Sequence, residues 1–329
     1  MEGRNRAYDR EWLKSRNVGV PVVSIGNVTA GGTGKTPLTA LLIAGLQARD
    51  RRVGVISRGY GGTEKGPLRV ANDGTVETAR RFGDEPSWLA SRFTDVPIYI
   101  CGDRIVAGQA LLLDEKVDVI LADDAFQHRR LARAFDIVVL DATEPEWHYR
   151  SLPLGRLREN LSSLGRADAI FITKTNLSDS EPAFLRSRIE RETAADIFEM
   201  ESVIAGFTSL ESGVRGAVRP LADFSGEKVV LASGIGRPET FSQLVERSGA
   251  KIVKRFDFPD HHAFSESNRL EIERAAQEHG ASNIFVTEKD AVKLGDWKPQ
   301  IPCWVSRLEM RPVRGDLGEL YETIARLTL

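Results

Sequence analysis

The sequence predicts an α/β fold built on a doubly wound, mostly parallel sheet, with a second, smaller α/β domain after it. Three observations carry that prediction. Short runs rich in Val and Ile alternate with helix-like stretches, the way buried parallel strands and their crossover helices read. A glycine-rich segment, GNVTAGGTGKTP at 26–37, separates the first such run from the first helix pattern. From about residue 201 a second set of apolar runs begins, which divides the chain into 1–200 and 201–329.

VPVVSIGN (20–27) opens the sheet, because its apolar residues run on without polar alternation, as in a strand covered on both faces. The helix after it is marked by Pro37, which loses nothing at an early helical position where its N–H would be unpaired. VGVISRG (53–59), PIYICG (97–102), VDVILADD (117–124), DIVVLDA (136–142) and AIFITKT (169–175) read the same way. SWLASRF (87–93) is helical and follows the turn GDEP (83–86). In the second set, KVVLASGIG (228–236), AKIVKRFDF (250–258), NIFVTEKD (283–290) and PCWVSRLEM (302–310) are the expected strands.

Composition narrows the function. Of 329 residues 28% are charged and 41% hydrophobic, ordinary values for a globular protein. A net charge of −2 argues against nucleic acid as a partner. The two cysteines, Cys101 and Cys303, each lie in a strand-like run and support neither a disulfide framework nor a zinc site. No apolar run approaches the ~18 residues needed to cross a bilayer, and the first 19 residues are polar. The expectation is a cytoplasmic protein with no obligate protein partner.

The glycine-rich segment departs from GxxxxGK[ST], since Thr29 stands where the first glycine belongs. Its strand–loop–helix setting is still P-loop NTPase-like. A glycine-rich turn before a helix aims several backbone N–H groups at one oligophosphate. Thr29, Ala30, Gly31, Gly32, Thr33, Gly34, Lys35 and Thr36 are therefore the expected nucleotide-binding residues. Lys35 would reach the β- and γ-phosphates and Thr36 would offer its hydroxyl to Mg²⁺.

Four further positions carry chemistry. VDVILADD ends in Asp123 and Asp124, where open α/β sheets bind ligands and P-loop enzymes hold their metal. Asp141, ending DIVVLDA, is the competing acid. The GDEP turn offers Asp84 and Glu85 at a helix start, where Asp84 reads either as an N-cap or as an acid with a chemical task. FPDHHAF (258–264) gathers Asp260, His261 and His262 in a loop; adjacent histidines are surface groups unless a reaction uses them. A kinase acting on an alcohol would use them, because a positioned proton acceptor is worth roughly 10²–10⁴-fold.

Taken in order, VPVVSIGNVTAGGTGKTP, ISRGYGG, GDEP, CGDR, LADDAFQHRRL, PLGRLREN, FPDHHAF and VTEKDAVKL resemble the tetraacyldisaccharide 4′-kinase family of lipid A biosynthesis, over about residues 20–294. In that family a small residue such as threonine is usual at the first loop position. The resemblance implies transfer of the γ-phosphate of ATP, with Mg²⁺, to the 4′-hydroxyl of an acylated glucosamine disaccharide 1-phosphate, forming lipid IVA. It implies that Asp84 is catalytic and works with His261. Glu85, Asp123 and Asp124 then join Thr36 near the metal, and Arg104, Arg158 and Glu159 contact substrate or phosphate. Lys174, ending FITK, would border the adenine. Because Asp84 and His261 fall in different expected domains, domain closure would assemble the site and exclude water.

Family members usually carry an apolar, amphipathic segment ahead of the first strand that rests on the inner membrane. Here MEGRNRAYDREWLKSRNVG holds five Lys/Arg against three Asp/Glu, with a thin apolar face of Tyr8, Trp12 and Leu13. It reads as a solvated helix, so the chain either starts late or meets the membrane elsewhere. Peripheral association at the inner face of the inner membrane is the expectation. Two rival functions remain at this level: a P-loop NTPase serving as an assembly factor or chaperone, and a nucleotide-binding regulator without turnover.

Overall fold

One twelve-stranded sheet runs through both halves of the chain. It is seen in a computed structural model that describes residues 2–29, 31–151, 153–178, 182–212 and 216–328. The strands are β1 (Val22–Gly26), β2 (Val53–Ser57), β3 (Leu68–Arg69), β4 (Ile98–Ile100), β5 (Val119–Asp123) and β6 (Phe135–Asp141). They continue with β7 (Ala169–Thr173), β8 (Asp196–Ser209), β9 (Lys228–Ser233), β10 (Lys251–Asp257), β11 (Asn283–Thr287) and β12 (Cys303–Arg314). Their spatial order is β10-β9-β11-β12-β8-β7-β6-β1-β5-β2-β4-β3. Every run expected to be a strand is one, and the sheet is parallel except where β8 meets β12 and the short β3 meets β4.

The helices are α1 (Glu2–Asp9), α2 (Lys35–Gln47), α3 (Val76–Phe82), α4 (Asp84–Arg92) and α5 (Arg104–Asp114). They are followed by α6 (Pro182–Ile189), α7 (Pro238–Glu246), α8 (Glu266–Glu278), α9 (Glu288–Ala291) and α10 (Leu317–Arg326). Strand β1 lies between β5 and β6, so the strand order reverses there. Open sheets bind ligands in the crevice at such a reversal, and the glycine-rich loop leaves β1 at that point.

Strand β8 was not among the expected strands, and the division at 201 falls inside it. Its Phe198, Met200, Ser202 and Ile204 are buried, while Glu201, Val203 and Ala205 between them are half-buried. That is period-two alternation with Glu199 and Glu201 on the alternate positions, which reads far more weakly than a continuous apolar run. Antiparallel pairing of β8 with β12, from Trp304↔Ser209 to Arg314↔Glu199, welds the two halves into one sheet.

The last helix, α10, returns to the first half and lies against α2. Tyr321 fills the space left by Gly45, whose absent Cβ would stand 2.2 Å from the ring. The same tyrosine donates to the Leu41 carbonyl at 3.3 Å, and Arg49 sits 4.8 Å over its ring. Gly45→Ala should therefore destabilise the protein. Helix propensity gains about 1 kcal/mol, but driving Tyr321 from its seat costs about 1–3 kcal/mol. Urea unfolding should show a lower midpoint at unchanged slope, and in a Tyr321→Ala background the same change should become stabilising. A stabilising effect in the native background would refute this account of the contact.

Candidate active site

The loop between β1 and α2 is shaped by two left-handed glycines, Gly31 at φ +132° and Gly34 at φ +90°. The positive φ at Gly34 is what favours glycine there, since the nearest atom to an added Cβ is the movable end of Met310 at 2.9 Å. Pro37 is the third residue of α2, where its missing N–H costs nothing. The loop is held from outside by its carbonyls. Gly32 O accepts from Lys174 Nζ at 3.1 Å, Thr33 O from Thr173 Oγ1 at 2.8 Å, and Val28 O from Arg158 N at 2.7 Å. Buried polar atoms of the loop, Thr29 Oγ1, Thr33 Oγ1 and Asn27 Oδ1, have no protein partner. Lys35 and Thr36 open the helix and are largely buried. Ala30 lies outside the described residues.

Beside the loop, the adjacent acids at the end of β5 take opposite paths. Asp124 adopts φ +48°, which turns its carboxylate toward Lys35 Nζ at 3.5 Å and Arg158 Nη1 at 3.3 Å. Burial raises its pKa, but Lys35 and Arg158 outweigh burial and hold the carboxyl below the ordinary range. Asp123 is buried, accepts from Ser57 Oγ at 3.5 Å through Oδ2, and leaves Oδ1 with no partner. Burial, followed by the nearby charge of Glu85, pushes the Asp123 carboxyl up to about 7. Asp141, the competing acid, is committed to Lys174 at 2.5 Å and Thr143 Oγ1 at 2.6 Å.

Two of the expected residues also brace the scaffold. Arg104 is 3% exposed and donates to the carbonyls of Cys101, Gly102, Asp123 and Asp124 at 3.2–3.5 Å. It clamps the ends of β4 and β5, and its Nε is left without a protein partner. Glu159 is buried and accepts from Arg166 at 2.6 Å and from Asn5 of α1 at 3.0 Å. Arg158, its neighbour, does reach the loop through Asp124. Lys174 lies on the Gly32 carbonyl.

Across the crevice, α4 begins at Asp84 after Gly83, which sits at φ +92° with its Cβ position 2.4 Å from Tyr60 O. The helix cap is thus Gly83, and Asp84 is free for another partner. That partner is His261, itself left-handed at φ +63°, whose Nδ1 lies 2.8 and 3.0 Å from the two carboxylate oxygens. A carboxylate only accepts, so Nδ1 carries the hydrogen. The hydrogen bond to Asp84 raises the His261 pKa against the effect of burial. For Asp84, burial raises the pKa, but the hydrogen bond from His261 and the charges of Lys289 and Lys293 hold it below the ordinary value. His262 serves the fold, stacked 4.4 Å from Phe258 and bonded to Asn268 at 2.9 Å.

A family model described as Tetraacyldisaccharide-1-P 4′-kinase matches residues 1–327. The curated tetraacyldisaccharide 4′-kinase of Syntrophus aciditrophicus is 36% identical over 319 residues, covering 94% of this chain and 84% of that protein. The one from Bdellovibrio bacteriovorus is 35% identical over 326 residues, covering 98% and 94%. The solved structure of LpxK from Aquifex aeolicus in complex with ATP superposes with a TM-score of 0.79 at 29% identity, covering 100% of this chain and 95% of that chain. The chain belongs to the tetraacyldisaccharide-1-P 4′-kinase family. Membership weighs against the assembly-factor and regulator readings.

In this kinase-family chain the motif VTEKDAVKL supplies two residues to which sequence reasoning gave no task. Lys289 places Nζ 3.7 Å from Asp84, 3.7 Å from Glu85, 2.9 Å from Asp260 and 3.5 Å from His261 Nε2. Lys293 lies 3.6 Å from Asp84 and 2.9 Å from Asp290. The four-residue spacing of these lysines, one helical turn, was the available signal. The electrostatics give a direct check. Asp84→Asn removes the largest influence raising His261, leaving burial and Lys289, which lower it, opposed by the smaller effect of Asp260. NMR titration of the His261 ring should then show a pKa lower than in the unaltered protein. An unchanged or higher value would show that Asp84 does not govern the imidazole.

Proposed function

We propose that this protein transfers the γ-phosphoryl group of ATP to the 4′-hydroxyl of a tetraacyldisaccharide 1-phosphate, forming lipid IVA. The observation that carries the reading is the 2.8 Å contact between Asp84 and His261, 177 positions apart, with Gly236 near both the adjoining Asp260 and Gly32 of the glycine-rich loop. Binding a nucleotide needs no such pair, whereas phosphorylating an alcohol does.

The residues suit Mg²⁺. Asp123 keeps a buried oxygen without a partner and an upward-shifted carboxyl, both of which a cation relieves. Among the described residues no cluster of three or more His, Cys, Asp or Glu could hold a metal. Mg²⁺ does not require one, since it takes one or two carboxylates and completes its shell with water and phosphate oxygens. Asp123, Glu85 and the Thr36 hydroxyl would hold it, with Asp124 fixing Lys35 and Arg158 beside it. When bound, the ion neutralises charge on the phosphate oxygens.

The chain's own groups then do the rest. The loop N–H groups of residues 29–36 and the α2 N-terminus bind the phosphates, and Lys35 offsets charge on the transferring group. Asp84 takes the sugar hydroxyl's proton while His261 holds the carboxylate in place. A carboxylate below its ordinary pKa is a weak base. The transition state is largely dissociative, so little proton abstraction is asked of it. Lys289 and Lys293 keep Asp84 ionised in its buried seat. Closure of the part beyond residue 201 over the loop would exclude water and suppress hydrolysis.

The acceptor's acyl chains lie in a bilayer, so the proposed location is peripheral, at the inner face of the inner membrane. Among the described residues no helix is long and apolar enough to cross a membrane. Trp12 and Leu13 are 72% and 44% exposed just beyond α1, which itself is seated by Arg129 on Asn5 O and Asp9.

Incubation with γ-labelled ATP and a tetraacylated disaccharide 1-phosphate should yield labelled lipid. Asp84→Ala should abolish labelling while ATP affinity is retained; near-normal turnover would remove Asp84 from its role. Lys289→Met should lower kcat roughly 10- to 100-fold, the scale of removing one partner from a buried charge cluster. A wild-type kcat in that variant would deny Lys289 any part in holding the base.

A further inference from the structure

Arg237, in the turn between β9 and α7, has no task in the mechanism above, yet it begins an unbroken hydrogen-bond chain to the phosphate loop. Its Nη1 donates to Thr143 Oγ1. Thr143 Oγ1 donates to Asp141 Oδ1 at 2.6 Å, and Lys174 Nζ donates to Asp141 Oδ2 at 2.5 Å. The same ammonium donates to Gly32 O at 3.1 Å. Every donor and acceptor in the chain is unambiguous, because guanidinium and ammonium only donate and a carboxylate only accepts.

The chain's end-point bears on phosphate binding through peptide geometry. In a planar trans peptide the carbonyl and the following N–H point in opposite directions. Fixing Gly32 O outward on Lys174 therefore aims the Thr33 N–H inward. Thr173 does the same for Gly34 by donating to Thr33 O. Lys174 reaches its station from a left-handed backbone, φ +58°, a conformation that non-glycine residues hold only where surroundings fix it. The turn itself passes close to the loop, since a Cβ built on Gly236 would lie 3.8 Å from Gly32 N.

We propose that Arg237 is a nucleotide-positioning residue: acting through Thr143, Asp141 and Lys174, it sets the direction of the loop's phosphate-binding amides. ATP affinity is thereby tied to a residue of the second half of the chain that need not touch the nucleotide. The proposal rests on the nucleotide-loop reading given above.

The test compares ATP·Mg²⁺ affinity by calorimetry, and KM and kcat in the labelled-lipid assay, for Arg237→Ala, Thr143→Val and the double variant. Each single variant should weaken ATP binding roughly ten-fold, the scale of one charge-assisted hydrogen bond. The loss should appear in KM for ATP and not in kcat at saturating ATP. Thr143→Val breaks the chain without unpairing Glu144, whose Oε1 lies 3.9 Å from Arg237 Nη2. Thr143→Ser, which keeps the hydroxyl, should bind ATP within about two-fold of the unaltered protein. Because both singles break one chain, the double variant should be no worse than the worse single. Wild-type ATP affinity in either single variant, losses that multiply in the double, or a loss confined to kcat would each overturn the proposal. An unaltered protein that binds ATP but labels no lipid would refute the kinase reading while the affinity comparison still decides the chain. One that binds no ATP would overturn both.

Discussion

Burying the Asp84 carboxylate is the constraint on which the arrangement of the two halves depends. An ionised carboxylate that is only 4% exposed is costly unless cations surround it. Among the described residues, the groups that do so, the His261 N–H donor and the Lys289 and Lys293 ammonium groups, come from beyond residue 260. About two turns further along α4, at Arg92, the signs are exchanged. Buried Glu288 at the start of α9 lies 3.6 Å from Arg92 and 3.5 Å from Arg307, and accepts from Leu308 N at 3.2 Å. The ladder between β8 and β12 joins the halves, but these paired charges determine how α4 and α9 face each other. A shift between the helices would strand buried charge on both, so the geometry of the base is specified at two points.

What the sequence made legible followed from local chemistry. Continuous apolar runs named the parallel strands, and Gly31, Gly34 and Pro37 marked the loop because each answers a backbone demand that only a few residues meet. Strand β8 escaped because antiparallel, half-buried strands alternate, and Glu199 and Glu201 on its alternate positions interrupt the apolar run. Arg104 and Glu159 show a different limit. Sequence reveals a cation or an anion but not which protein atoms it binds, and both brace the scaffold while keeping one polar atom unpartnered. Lys289 and Lys293 were visible as a helical pair, yet their task depends on an acid some 200 positions away, which no local pattern specifies. The pairing of Asp84 with His261 was legible only through the ordered set of motifs.

The Asp123-Asp124 pair shows how one dipeptide supplies two unlike groups. A left-handed backbone at Asp124 sends its carboxylate to Lys35 and Arg158, while Asp123 continues the strand and stays buried with an oxygen unpaired. Their pKa values consequently move in opposite directions from the same starting point. Groups pushed apart in this way take different duties. Asp124 organises cations before nucleotide arrives, and Asp123 retains an unmet need for positive charge. Arg104 supports the division from behind, since its donors hold the carbonyls of both aspartates and so fix the backbone from which the two side chains diverge.

The donor and acceptor sides of the crevice are preorganised by the same device, applied to opposite signs. On the donor side, carbonyls are pulled outward by Lys174, Thr173 and the Arg158 amide, which leaves N–H groups facing the space a phosphate would fill. On the acceptor side, cations are drawn around Asp84, which leaves a carboxylate ionised where a hydroxyl would approach. Preorganised dipoles and charges act without reorganisation during the reaction, and that is where most of the advantage over water arises in phosphoryl transfer. Part of each side is held by the second half of the chain: Lys289 and His261 at the base, and Gly236 against the loop. Withdrawing that half would uncover the base and loosen the loop together, so a protein with its halves apart would lose both the means to bind phosphate tightly and the means to transfer it.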